Sequence, residues 1–413
     1  MYRVSRSLLA AALLSLCDFS ARAQTPDYSL LPVLDRPRPD YAPPGLRWGS
    51  FLVFPAILAS AAFDDNIYAT RRARTGDSLA RVQPSFLLRS DWRVHSLDVF
   101  GTAEAVLYGK HAVENQLNGS LGLRGLIEVR RDFTIGYSAG WVRSHDDRGF
   151  SDGFLLALPF DKPVTRDLMS LGLTLNKRLG RATASLAVDV VDTRYQDNAI
   201  LGSKVALSAR DYTSAAFRGR LGYDITAITQ LFGEVAFEHR GFHAQFADSN
   251  GWRAIAGLRF EASRLLNGEV YGGYLERIFA RPGPPDIGTY TYGARLSWLA
   301  TPLLTVSLAG ERAAQESYRI GSLGSYLQST AALRADYEVR RDAIVSLRMG
   351  YEQDDFREPA RRDRLVSLGA AMTLFLSRRL QVSLDYRFVG RLSDVSAADY
   401  RRNIYGASLR AQF

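Results

Sequence analysis

The run His145-Asp146-Asp147 sets an imidazole beside two carboxylates, the side chains that activate water in many hydrolases. Three such residues in sequence are also ordinary solvated turn chemistry, so no catalytic residue is expected and the chain is not read as an enzyme. His95, His111, His239 and His243 lack ligand spacing with cysteine or paired carboxylates, so neither a metal nor a cofactor is expected. No Gly-rich loop follows a strand and opens a helix, and no basic stripe interleaves with aromatics, so nucleotide and nucleic-acid binding are also unsupported. What remains is charge. The chain carries 52 Lys plus Arg against 43 Asp plus Glu, a net of +9, and its only lysines are Lys110, Lys162, Lys177 and Lys204. An Arg-dominated balance of this kind favours anionic partners.

Those charges fall at every second position, which requires strands to hold them. Leu327, Ser329, Ala331, Leu333, Ala335, Tyr337 and Val339 form one face of a segment, and Gln328, Thr330, Arg334, Asp336 and Glu338 the other. Only a two-residue period separates them in this way. Short turns at Arg130-Arg131-Asp132, Arg340-Arg341-Asp342 and Ser377-Arg378-Arg379 recur with five others, near 90–93, 178–181, 226–229, 263–267 and 301–302. Longer polar connections fall near 64–76, 110–114, 146–164, 196–208, 243–249, 281–288, 317–324, 357–362 and 394–399. Hairpins repeating at roughly 40 residues predict an all-β fold. It is a single antiparallel, up-and-down transmembrane β-barrel of about 18 strands, with both termini periplasmic.

Aromatics support lipid on the outer face. Trp48, Trp92 and Trp298 fall at short-turn ends, and Trp141, Trp252, Tyr108, Tyr195, Tyr212, Tyr290 and Tyr351 at long-loop ends, as two girdles would. After residue 23 no segment reaches the roughly 18–20 apolar residues of a spanning helix. The mean hydropathy of −0.12 suits a barrel that gives alternate residues to its lumen. Arg3 and Arg6, the apolar run from Leu8 to Leu16 and Ala21-Arg22-Ala23 read as a signal peptide over residues 1–23. The one cysteine, Cys17, lies inside it. Six prolines make 24–47 a Pro-rich periplasmic extension, expected as an extended tail, and residues 48–413 form the barrel. Tyr405, Leu409 and Phe413 mark the last strand as the closing, barrel-inserting one.

A barrel this wide holds an aqueous channel. Its lumen-facing charges are expected to be Arg81, Arg124, Arg218, Arg220, Arg253, Arg259, Arg295, Arg334, Arg348 and Arg387 with Glu234, Glu238, Glu311 and Asp385. They either pair across strands or leave an Arg ladder for an anionic chain. The longest loop carries Phe154, Leu155, Leu156, Leu158 and Phe160. Such an apolar run either enters the pore as a constriction or packs on the outer rim or a partner.

Phe63-Asp64-Asp65-Asn66, then Asp77 and the strand from Leu79 to Leu88 containing Val82-Gln83-Pro84, resemble the opening of the putative β-barrel porin 2 family. The resemblance runs from about Trp48 to Phe413 and extends to eighteen-stranded polysaccharide-export barrels. It implies an integral protein of the cell outer membrane that works as a pore and exports an extracellular polysaccharide with a periplasmic export partner. The alternatives are a general or anion-preferring diffusion porin and a non-conducting structural or surface-interaction barrel. Expected partners are outer-membrane lipid, lipopolysaccharide and the barrel-assembly machinery.

Overall fold

The computed structural model describes residues 31–149, 160–243, 248–262, 265–280, 286–319, 322–357 and 360–413, with side chains left aside for 316–324. The expected signal peptide therefore lies outside the described residues. In order, the strands are β1 (Leu46–Trp48), β2 (Phe51–Asp64), β3 (Asp77–Ser90), β4 (Ser96–Tyr108), β5 (Gln116–Arg130), β6 (Phe133–His145) and β7 (Thr165–Leu179). They continue as β8 (Ala182–Tyr195), β9 (Asn198–Ile200), β10 (Ser203–Val205), β11 (Tyr212–Thr226), β12 (Thr229–Phe242), β13 (Ser249–Ala262) and β14 (Leu266–Phe279). The last seven are β15 (Ile287–Thr301), β16 (Leu304–Arg319), β17 (Ser322–Arg340), β18 (Ala343–Arg357), β19 (Ala360–Phe375), β20 (Leu380–Ser393) and β21 (Tyr400–Gln412).

Eighteen of these pair in sequence as antiparallel neighbours, and β21 returns to β2 from Gln412↔Ala56 to Ile404↔Asp64. Closure leaves no free sheet edge over those rows, which is what a strand structure in lipid requires. The hairpin β9–β10 stands apart as a two-stranded sheet within the connection from β8 to β11. β1 pairs only with the start of β2, from Leu46↔Val53 to Trp48↔Phe51. It takes up the edge of β2 just beyond the point where Phe413 N donates to Pro55 O at 3.0 Å. Gly49, at φ +59, supplies the left-handed residue that the tight β1–β2 turn needs.

Seven of the eight short turns fall where the sequence places them, and residues 263 and 264 of the eighth lie outside the described residues. Two of the nine expected long connections are different. Pairing runs to Arg319↔Ser322 and to Arg357↔Ala360, so the described residues of 317–324 and 357–362 are continued ladder rather than loop. Their polar composition reads as loop, yet backbone pairing does not depend on apolar side chains.

Strand register assigns each side chain to a face. On β21, Tyr405 and Leu409 share the outward face, opposite Phe63 and Ala59 of β2, and Phe413 just past its end continues that parity. Trp141, Trp252, Tyr290 and Tyr351 also face outward. Tyr108, Tyr195 and Tyr212 do not, because the register turns all three inward, and Tyr195 is buried against Phe160 and Leu207. They satisfy the aromatic spacing of a girdle but belong to the other parity.

Candidate conduction pathway

The inward face is a wall of linked charges. Asp98 accepts from Arg89 at 3.2 Å and from Arg124 at 3.1 Å, and Arg81 reaches Glu104 at 3.7 Å. Arg218 meets Asp189 at 2.9 Å. Arg220 meets Glu269 at 2.7 Å, Arg253 meets Glu234 at 2.8 Å, and Arg259 approaches Glu269 at 3.8 Å. Glu238 takes Arg240 and Arg277, each at 2.6 Å, and the Ser214 hydroxyl at 2.7 Å. Cross-strand neighbours of opposite sign stabilise a sheet, whereas like charges directly opposite destabilise it. Arg334 and Arg348 do stand opposite each other, and Asp336 offsets that repulsion by accepting from Arg334 at 2.7 Å. Asp385 lies over Gly406, where a Cβ would come within 2.7 Å of its Oδ1. Arg295, Glu311 and Arg387 line a lumenal recess of about 250 Å³ with Tyr271 and Glu352. Every sequence-derived lumenal charge thus falls on the inward parity, and most belong to pairs rather than to an open Arg ladder.

The end bearing the long loops is narrowed by a second network. After β6 the chain crosses from its own strand to the inner wall of β20 and β21. Arg391 Nη2 donates to Gly149 O at 2.5 Å, and the Tyr400 hydroxyl follows at 3.3 Å. Arg402 lies between Asp64, reached from Nε at 2.7 Å, and Asp147, reached from Nη1 at 2.8 Å. Asp64 is fully buried, a position tolerable for a carboxylate only when it is paired. Arg148 turns the other way and donates to Glu114 at 2.9 Å and to Phe160 O at 2.5 Å. Phe160 packs with Val164, Tyr195 and Leu207. Of the expected constriction residues only Phe160 is described; Phe154, Leu155, Leu156 and Leu158 lie outside the described residues.

The trio that opened the sequence reading is dispersed. His145 Nδ1 bonds Asn118 Oδ1 at 2.8 Å, Asp146 sits 3.6 Å from Arg166, and Asp147 holds Arg402. Sequence reasoning missed Arg402, Arg148 and Glu114. The available signal was the Asp64-Asp65-Asn66 run itself. Asp65 accepts from Asn403 N at 2.6 Å and Asn403 Nδ2 at 2.7 Å, while Asn66 donates to Arg401 O at 2.9 Å. The motif ties β2 to β21 across the closing seam. Outside the strands, burial raises the Tyr68 hydroxyl and the Asp211 carboxyl, and a hydrogen bond from Lys204 lowers Asp197.

At the short-turn mouth, the described part of the Pro-rich segment is folded back rather than extended. Asp35 N donates to Pro32 O and Ala42 N to Arg38 O, closing two turns. Val33 is fully buried and donates to Thr305 Oγ1 at 2.9 Å. Arg36 and Arg38 meet Glu338 at 3.2 and 3.3 Å, and Tyr41 packs on Phe375 with ring centroids 5.9 Å apart. Thr305, Glu338 and Phe375 all belong to the inward face, so this segment occupies part of the mouth. Contacts 272 and 302 residues apart in the chain leave no local signature.

Among solved structures, the copper transporter OprC is similar at a TM-score of 0.50 and 9% identity, covering 89% of this chain and 81% of that one. OccAB3 of Acinetobacter baumannii has a TM-score of 0.47 and 11% identity, covering 87% of this chain and 98% of its own. The outer membrane protein OpdK of Pseudomonas aeruginosa has a TM-score of 0.46 and 14% identity, covering 87% and 98%. No curated protein matches the sequence. The family model for putative beta-barrel porin 2 matches residues 38–413. The chain belongs to that family, and it is an integral outer-membrane barrel of porin type.

Proposed function

We propose that the barrel is a constricted diffusion channel for small charged solutes. Its short turns and both chain ends would face the periplasm, and its long loops the exterior. The observation that carries this reading is the crossing from Asp147 to Gly149, held on β20 and β21 by Arg402, Arg391 and Tyr400 in front of a wall of paired charges. Paired walls wet a lumen and give weak charge selection, because each Arg field is largely cancelled by its neighbour. Lipopolysaccharide and the barrel-assembly machinery are the partners expected of such a barrel, and no catalytic role is assigned to His145.

Single-channel recording in planar bilayers tests the reading. Deleting residues 150–161 is expected to raise unit conductance, and unchanged conductance would remove the loop from the pathway. A barrel with no conductance at all would be structural.

One observation favours a second reading, export of an extracellular polysaccharide. Under that reading a periplasmic export partner would dock at this mouth and displace the Pro-rich segment that Arg36 and Arg38 hold on Glu338. In that case an anionic oligosaccharide added to the periplasmic side blocks the current once the segment is removed. Loss of matrix on gene deletion, with small-solute uptake unaltered, would support export over diffusion.

A further inference from the structure

The backbone ladder of the barrel wall is interrupted along half of one seam. β15 pairs with β14 as far as Ile287, and β16 pairs with β17 as far as Arg319, but the ladder between β15 and β16 stops at Gly293↔Glu311. Above that row a side-chain-to-backbone bond, from Thr291 Oγ1 to Arg312 O at 2.7 Å, still links the two strands. The upper part of the β16–β17 ribbon leans inward. Leu327 and Ala314, on the face that points to lipid lower down, pack instead on Ile287 and Leu275 of the lumenal face. Among the described residues this leaves the upper edge of β15 without a strand partner, an arrangement that is costly against lipid unless the gap is filled or opens to water.

Three features converge on the gap. The recess described above lies at its base, lined by Glu311, Arg295 and Tyr271. Glu311 Oε1 is buried there and meets no donor among the described residues, and Arg295 forms no ion pair among them. On the outside, an aromatic row leads along the lipid face to the same edge. Trp252 packs on Tyr274 with centroids 5.9 Å apart, and Tyr274 on Tyr290 at 5.7 Å. Tyr290, on the unpaired edge, is 75% exposed. Amphipathic rings at that level mark the headgroup zone of a membrane.

We propose that the β15–β16 gap is a lateral portal, a site where an amphiphile with an apolar body binds between the lumen and the outer leaflet. This rests on the orientation proposed above. The head must offer both a donor, for Glu311, and an acceptor, for Arg295, as an N-acyl amino acid does. The body lies along Tyr290 and Tyr274. Solutes with no apolar body keep to the axial pathway.

Equilibrium binding of radiolabelled N-lauroylglycine to the full barrel in phospholipid nanodiscs tests this. The wild type is expected to show saturable binding to one site. Thr291→Cys with Ala313→Cys, in a chain carrying Cys17→Ser, joins positions that a continued Gly293–Glu311 register sets opposite each other. Cross-linking is expected to weaken binding by about tenfold or more, with recovery on reduction. Arg295→Gln, which needs no cross-link, is expected to weaken it by about tenfold as well. Salt conductance in planar bilayers, measured on the wild type and the cross-linked barrel, reports the axial channel separately and is expected to persist. Non-saturable partitioning, or undiminished binding in both the cross-linked barrel and Arg295→Gln, would overturn the portal.

Discussion

Replacing Arg402 by Ala removes the partner of Asp64 while leaving that carboxylate where no water reaches it. The guanidinium touches Asp64 and Asp147 together, and Arg402 is itself 9% exposed, so little solvent screening reduces the loss. Breaking a buried pair from one side costs about 3–5 kcal/mol, because the remaining charge is stranded. The double variant Asp64→Asn with Arg402→Met removes both charges and keeps an amide oxygen to accept from Asn66 N, which now bonds Asp64 Oδ1 at 2.9 Å. It is expected to recover most of that loss, since a buried ion pair exchanged for neutral groups of similar volume is often close to neutral. Urea unfolding in detergent, followed by the mobility difference between folded and unfolded barrel on cold gels, measures both. A single variant that loses less than about 1 kcal/mol would show that Asp64 is hydrated or re-paired, and would refute the role assigned to the seam. A double variant no better than the single one would place the cost in packing rather than charge.

Other consequences are simpler to state. Glu338→Gln should loosen the segment from Val33 to Tyr41, raising proteolytic cleavage within it while leaving barrel folding intact. Deletion of Phe413 removes the residue whose amide bonds Pro55 O, and it should lower the folded fraction in the membrane without altering the unit conductance of barrels that do assemble. Lys204 holds the Asp197 carboxyl below its ordinary value of 3.8, so the β9–β10 hairpin should gain support above that value. That support should fade as pH falls through the lower, folded value, read as faster amide exchange at Leu207, and Lys204→Ala should weaken the dependence, leaving the part due to the Leu207 amide.

The parts of the fold set by local periodicity were legible in the sequence. Alternation fixed which of Arg334, Asp336 and Glu338 share a face, and runs such as Arg130-Arg131-Asp132 fixed the short turns. The missed features all depend on residues distant in sequence. Nothing near Val33 announces Thr305, and nothing in Asp64-Asp65-Asn66 names Arg402 and Asn403 as its counterparts. Tyr195 matches a girdle by position along its strand, and only parity relative to β7 and β11 reverses it. The ladder missing before Gly293 on β15 was the least visible, because β15 and β16 each alternate normally and the defect lies in their relation.

The short strand β1 has a bearing on how the ring is completed. It forms a local hairpin with Phe51–Val53, and a contact so short in sequence can form before the distant β21 reaches β2. When β21 arrives, its travel along β2 toward the short turns ends against Leu46. A slip of two residues in that direction would preserve every side chain's face and so escape the usual penalty for misregister. The upstream hairpin acts as a mechanical stop against that silent error, fixing the stagger of the final seam and with it the tilt of all the other strands.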